Sequence, residues 1–322
     1  MIFSQESLKV LLLLSSEKDN SVVLSKLQEL AEHQSIHATL LMCDYRSSIA
    51  SSLILKTEHL DSAVEYIKEQ HLQSLKKLAS EFKHPNINYT FRVEWHRPFY
   101  ESVLNVAKEL DVDLVLKQTH EHSKLRQLLL TPGDYQLMKS CPSPVLLSKT
   151  GSWKDRHCII AAVDPSHELS RSSHLDDMLI QEAKALSELL ELPFKVCHVF
   201  DPTGWEVVLN SSASMGVMGQ FVVLDTPQEH KQMLDTIREQ HNKQLLELQS
   251  RHQLKDEQVA LLEGYPEESL VSEADKQKAA LIIVGTTYRS GLLGSTAEAL
   301  LENINCDLVA IKHADFDALE TH

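Results

Sequence analysis

Three groups of residues have types and spacings that could do chemistry. The first is the run VGTTYRSGLLGSTAE at residues 284–298. Gly285, Gly291 and Gly294 permit close backbone approach to a ligand, and Arg289 lies inside the same loop. Ser295 and Thr296 then open a helix whose free N–H groups and dipole suit an anion. Glu298, three residues after Ser295, completes a capping box. A well-capped helix start therefore explains the same residues without a ligand. Asp164 ends an earlier apolar run, Ala161–Val163, and can accept bonds from a ribose or base or help hold a metal. The second group is His120 and His122 around Glu121, with His96 and Cys141 in neighbouring connections. Imidazole and thiolate are zinc ligands. With 17 histidines in the chain, however, such a pair arises readily by chance, so polar loop residues are expected and no metal. The third group is Pro165, Ser166, His167 and Glu168. Adjacent residues on a turn cannot line up as a proton relay, and no G-x-S-x-G elbow precedes them. Local capping is expected, and no catalytic residue.

These residues need a scaffold, and the apolar pattern supplies one. Short continuous runs read as buried parallel strands at 8–14, 37–42, 87–93, 113–116 and 145–147. Between them, helical periods predict helices over 21–33, 58–82, 99–110 and 132–140. The alternation then repeats. Strands are expected at 157–163, 194–198, 259–262, 281–284 and 308–311, and helices at 172–190, 227–251, 266–278 and 293–303. Pro98 and Pro266 stand 168 residues apart ahead of corresponding helices, and Cys141 and Cys306 precede the last strand of each half. Alternating strands and helices imply a parallel sheet covered on both faces, with ligands beyond the carboxyl ends of the strands where strand order reverses. The 322 residues suit two domains. The expected division is 1–149, a polar linker at 150–154, and 155–322.

Composition limits the function classes. A net charge of −15 disfavours general affinity for nucleic acid or an anionic membrane. No run reaches the roughly 20 apolar residues of a membrane span. The first residues lack the basic n-region of a secretory signal. Five scattered cysteines, without a CxxC pair, read as reduced and mostly buried thiols of a cytoplasmic protein.

At this point the residues resemble a family. A strand, Gly285, a loop, Gly294-Ser295, a helix, then Cys306-Asp307-Leu308-Val309 and Ile311-Lys312 close a five-strand unit that is similar to the universal stress protein domain. WHRPF at 95–99, DLVLKQTHEH at 113–122, TPGD at 131–134 and CPSPV at 141–145 narrow the resemblance to its tandem bacterial type. It covers the chain from about residue 8 to residue 312. The resemblance implies two tandem α/β domains, each a five-stranded parallel sheet of the Rossmann-like, adenine nucleotide alpha hydrolase-like kind. It also implies a stress-response role. ATP-binding members carry G-x-x-G, nine residues, then G-[S/T]. On that pattern the ATP or AMP contacts of the second half would be Asp164, Val199, Gly285, Arg289, Gly291, Gly294, Ser295 and Thr296.

The departures count against nucleotide. Tyr288 stands where the second glycine belongs, and only residues 289–293 separate it from Gly294. In the first half, 117–120 (KQTH) replaces G-x-x-G, Thr131-Pro132 replaces G-[S/T], and strand one ends without a carboxylate. Pro132 also lacks an N–H for a phosphate. The first half is instead expected to pair with the second through the last strands, as domains of this family commonly do; a homodimer remains open. Residues 203–225 form a long connection rich in Val, Met, Phe and Trp. It reads as a lid or contact segment, or as the wall of an apolar cavity. The expected function is a non-enzymatic stress-response protein binding an apolar small molecule or a protein partner. The alternative is ATP or AMP binding by the second half.

Overall fold

The computed structural model describes residues 1–50, 57–119, 132–149, 151–167, 173–204, 227–286 and 295–312. The first half runs β1 (Ser7–Leu14), α1 (Ser21–Ala31), β2 (Ser35–Asp44), a short α2 (Ser47–Ala50), α3 (Thr57–Glu81), β3 (Ile87–Trp95), α4 (Phe99–Leu110), β4 (Leu114–Gln118), α5 (Pro132–Ser140) and β5 (Val145–Ser148). The second half repeats it: β6 (Cys158–Ala162), a 3₁₀ turn at Pro165–His167, α6 (Ser173–Leu190), β7 (Phe194–Phe200), α7 (Pro227–Arg251), a 3₁₀ turn at Asp256–Gln258, β8 (Val259–Glu263), α8 (Pro266–Gln277), β9 (Ala279–Thr286), α9 (Ser295–Asn303) and β10 (Asp307–Lys312).

The two five-stranded sheets fuse into one. Strand order among the described residues is β3-β2-β1-β4-β5-β10-β9-β6-β7-β8. Neighbours are parallel except at the join, where β5 and β10 run antiparallel with Leu146 opposite Val309. Both faces of the inner strands are buried, so these strands read as largely apolar runs, whereas the edge strand β3 alternates with exposed Asn88 and Thr90. Along β1, Val10, Leu12 and Leu14 enter one core with α1, α3, α6 and α7. Leu11 and Leu13 enter the other, with α4, α5, α8 and α9. The residue period of two decides which core each side chain joins.

Helix ends and hydrogen bonds correct three of the sequence correspondences. Helices α4 and α8 each end on a left-handed residue, Asp111 and Lys278, which are 167 positions apart. Pro98 is therefore the residue before its helix, joined to Arg97 by a cis peptide, whereas Pro266 is the first helical residue. The same spacing relates Thr119 to Thr286, whose hydroxyls both bond the carbonyl of the adjacent last strand, at Ser148 and Ile311. Gln118, not Lys117, consequently stands at the position of Gly285. Farther on, α5 and α9 begin 163 residues apart, at Pro132 and Ser295. The matching bonds are Cys141 N–H to Leu137 and Ile304 N–H to Leu300, so Cys141 corresponds to Ile304 rather than to Cys306. The change from 167 to 163 means that the connection after strand four is four residues shorter in the second half.

The join is held by side chains as well as by strands. Lys149 follows β5 and donates to the carbonyls of Leu301 and Ile304 at the end of α9. Its counterpart Lys312, also 163 positions away, donates to the Lys139 carbonyl in α5 at 2.5 Å. Each half thus caps the other's last helix with a cation, where the carbonyls and dipole favour one. Beside this clasp lies a fully buried ion pair, Lys26 Nζ to Asp307 Oδ2 at 2.8 Å. Asp307 also accepts from the Trp153 indole and the Lys149 backbone N–H, both at 2.8 Å. The Lys26 ammonium lies 4.2 Å from the centre of the Trp153 ring. The polar linker is therefore pinned, with Trp153 only 2% exposed. Burial pulls the Lys26 ammonium down against the raising effect of Asp307. It takes Lys149 down to about 8.

Candidate functional site

In each half the carboxyl ends of the first, second and fourth strands converge on one edge of the sheet. In the second half, Ala162 pairs with both Cys197 and Val284. That register places Asp164, Val199 and Gly285 at the carboxyl ends of neighbouring strands. Asp164 is held by its backbone, whose N–H donates to Asp176 Oδ1 at 3.0 Å. Its side chain is half exposed and accepts from the Ser166 hydroxyl at 2.5 Å and the Ser166 N–H at 3.3 Å. The turn at 165–167 thus gives Ser166 a local capping role. Val199 is half-buried at the end of β7. At Gly285 an added Cβ would lie 2.5 Å from Leu175 Cδ2, so this glycine also lets α6 approach the sheet. Ser295 and Thr296 begin α9, as the sequence expects. Arg289, Gly291 and Gly294 lie outside the described residues, as do Tyr288, the His120/His122 pair and residues 205–226. Among the described residues no cluster of three or more His, Cys, Asp or Glu could hold a metal. His96 instead bonds Glu101 at 3.0 Å. Cys141 is a buried thiol, pushed up to about 11 by burial.

The first half is built alike up to the crevice and then differs. Ser15, at the position of Asp164, donates its N–H to Asn20 Oδ1 at 2.8 Å, matching the Asp164–Asp176 bond. At the crevice, Lys117 makes an ion pair of 2.5 Å with the buried Asp134 at the start of α5. Gly133 beside it sits under the Phe99 ring, where an added Cβ would come within 2.0 Å of Cε1. The space left among Leu13, Leu41, Cys43, Phe99 and Gln118 is about 100 Å³. Small-molecule sites typically need about 300–1,000 Å³.

Three buried histidines lie next to these edges. Helices α3 and α7 have the same length, and the fifteenth residue of each is a histidine, His71 and His241. His71 Nε2 meets Asp44 Oδ2 at 2.8 Å. Burial alone would raise the Asp44 carboxyl; His71 and Arg46 more than offset this and hold it below the usual range. His241 Nδ1 meets His198 Nε2 at 2.7 Å, and His198 Nδ1 lies 3.2 Å from the Val163 carbonyl. A carbonyl only accepts, so Nδ1 of His198 carries hydrogen. Burial lowers the His241 imidazole, opposed by the Asp164 carboxylate. The helical period alone did not mark either pair, although the matched position of the two histidines was readable by aligning the halves.

Comparison with known proteins agrees with this architecture. The model of the "Universal stress protein family" matches residues 8–149 and 159–312. The chain is 26% identical over 317 residues to the Universal stress protein E homolog of Haemophilus influenzae, covering 96% of this chain and 98% of that one. It is 25% identical over 273 residues to Universal stress protein E of Escherichia coli, covering 83% and 82% of the two chains. A crystal structure of a universal stress protein from Pseudomonas aeruginosa superposes with a TM-score of 0.72 at 21% identity, over 98% of this chain and 96% of that one. Another, from Archaeoglobus fulgidus, gives 0.55 at 14% identity, over 96% and 97%. At these identities the solved structures speak for the fold. With both family matches spanning the paired βα halves, the chain belongs to the universal stress protein family.

Proposed function

We propose that this chain is a non-catalytic binding protein of the stress response, in which the second half carries the ligand crevice and the first half is its structural partner. The observation that supports this reading is the asymmetry of two equivalent sheet edges. In the first half, the Lys117–Asp134 pair and the Phe99 ring leave about 100 Å³. In the second half, the position of Gln118 is a glycine, and the Asp164 carboxylate stays half exposed. An apolar small molecule or a protein segment is the favoured occupant. The apolar stretch at 203–225 lies in the connection that follows β7, and the shortened loop with Tyr288 removes the glycine that ATP-binding relatives use. Among the described residues, no helix is long and apolar enough to cross a membrane.

An adenine nucleotide is the second reading, favoured by the exposed Asp164 carboxylate at the end of β6. Denaturing freshly purified protein and identifying what is released by mass spectrometry separates the two. An apolar molecule near one per chain supports the first reading, and a nucleotide overturns it in favour of the second. If nothing is released, titrating ATP into the protein decides the nucleotide question. Saturable binding that disappears in Asp164→Ala would move the assignment to ATP.

A further inference from the structure

At the far edge of the sheet, on the first half, a groove of about 630 Å³ lies between α3 and the edge strand β3. Its floor is apolar: Ala79 from α3, and Ile87, Tyr89 and Phe91 from β3. The three β3 residues are spaced by two, so they share one face of the strand. Ala79 and Ile87 are buried, and Tyr89 and Phe91 are half-buried. The Tyr89 hydroxyl is already engaged, donating to the Phe82 carbonyl at 2.7 Å, so the ring presents hydrocarbon to the groove. The rim is cationic. Lys76 and Lys83 both line it, with His84 between the strand and the helix end.

This charge does not follow from the chain as a whole, which carries −15. Nor is it neutralised locally. On the same helix, Lys68 pairs with Glu65 and Lys77 with Glu81. Lys76 and Lys83 have no carboxylate within 4.0 Å among the described residues, and no Asp or Glu lines the groove. An apolar floor with two unneutralised ammonium groups at its rim is complementary to an apolar tail bearing one anionic head. A membrane surface is a poorer fit, since recognition of anionic lipid sheets takes clusters of about 4–8 Lys or Arg.

We propose that the α3–β3 groove is a binding site for a long-chain carboxylate or similar anionic amphiphile, with the head at Lys76 and Lys83 and the tail over Ile87, Tyr89 and Phe91. This site is separate from the second-half crevice and does not depend on the reading given above. Both lysines are exposed, so charge reversal leaves the fold intact, which far-UV circular dichroism verifies. The probe is sodium dodecanoate below its micelle concentration, titrated calorimetrically into the full chain. Dodecanoate is expected to bind near one per chain, and Lys76→Glu/Lys83→Glu to weaken it at least tenfold, as loss of charge-assisted contacts does. Dodecyltrimethylammonium, with the same tail and opposite charge, is expected to bind the variant more tightly than the wild type. A photoreactive dodecanoate should cross-link within residues 76–91. Unchanged dodecanoate affinity in the variant, no binding to the wild type, or cross-links confined to the second half would each overturn the proposal.

Discussion

Replacing Asp307 with Asn keeps the side-chain shape in the buried hub formed by Lys26, Trp153 and Asp307 but removes the carboxylate paired with the fully buried Lys26. The Lys149 N–H bonds Oδ1 and the Trp153 indole bonds Oδ2, so the amide keeps an acceptor for only one of them and the loss combines the charge with one hydrogen bond. Breaking a buried pair in this way costs about 3–5 kcal/mol, because one ion remains in the interior without its partner. The ammonium of Lys26 is already pulled down by burial and sustained by Asp307, so the variant lysine is expected to turn neutral in the folded state. The pair ties α1 of the first half to β10 of the second through the linker. The variant should therefore lose coupling between halves as well as stability. Urea unfolding followed by far-UV circular dichroism and by the fluorescence of Trp153, with Trp95 and Trp205 replaced by Phe in every variant compared, is the assay. Wild type is expected to give coincident transitions, and Asp307→Asn a lower midpoint with the two signals separated. The double variant Lys26→Met/Asp307→Asn should recover the part of the loss due to the stranded charge, since an apolar replacement of similar volume removes it. If Asp307→Asn costs less than about 1 kcal/mol, or the double variant is no better than the single, Lys26 is not a buried cation dependent on Asp307, and the argument for the hub fails.

The other predictions come from separate parts of the molecule. Cys43, Cys197 and Cys306 are each pushed up to about 12 by burial. At pH 8 their thiolate fraction is on the order of 10⁻⁴, against about one in four for a free thiol. Native alkylation by iodoacetamide, read by mass spectrometry, should be about 10³-fold slower than in denaturant, and fast labelling of any of the three would contradict their burial. Gly133→Ala should destabilise by about 1–3 kcal/mol because its Cβ meets the Phe99 ring, and adding Phe99→Leu should recover part of the loss. Thermal unfolding of both variants tests this, and an unaffected Gly133→Ala protein would show that Phe99 moves freely. The folded-state pKa of His241 lies below its unfolded value, so the unfolded chain binds more protons in acid and stability falls as pH drops below about 6.5. His241→Gln should flatten that slope between pH 7 and 5, and an unchanged slope would assign it elsewhere. Asp44, held below the usual carboxylate range, adds stability present above about pH 3.8 and lost as pH falls through its folded value.

Much of the fold was legible because its signals are local. An unbroken apolar run such as Val10–Leu14 is what a strand buried on both faces requires, and Leu234, Ile237, Leu245 and Leu248 recur at helical spacing within Pro227–Arg251. Asp164, Gly285 and Ser295 were legible as a candidate site because strand ends and helix starts are set by sequence order. Hydrogen-bond register could not be read that way, since a one-residue slip leaves the apolar pattern of these two-sided strands almost unchanged. Only the strand ladder shows that Gln118 rather than Lys117 is the counterpart of Gly285, and only the helix-end bonds show that Cys141 matches Ile304. Contacts between distant residues were likewise invisible. Nothing local marks Lys26, Trp153 and Asp307 as one buried cluster, or distinguishes Lys76 and Lys83 from the paired lysines beside them. The sequence by itself determined the strands and the longer helices, their order and the family, but not the short helix Ser47–Ala50. The tertiary structure alone decided which charges are buried, which are neutralised, and that the Phe99 ring and the Lys117–Asp134 pair occupy the first-half crevice, because those outcomes depend on distances set only once the sheet has closed.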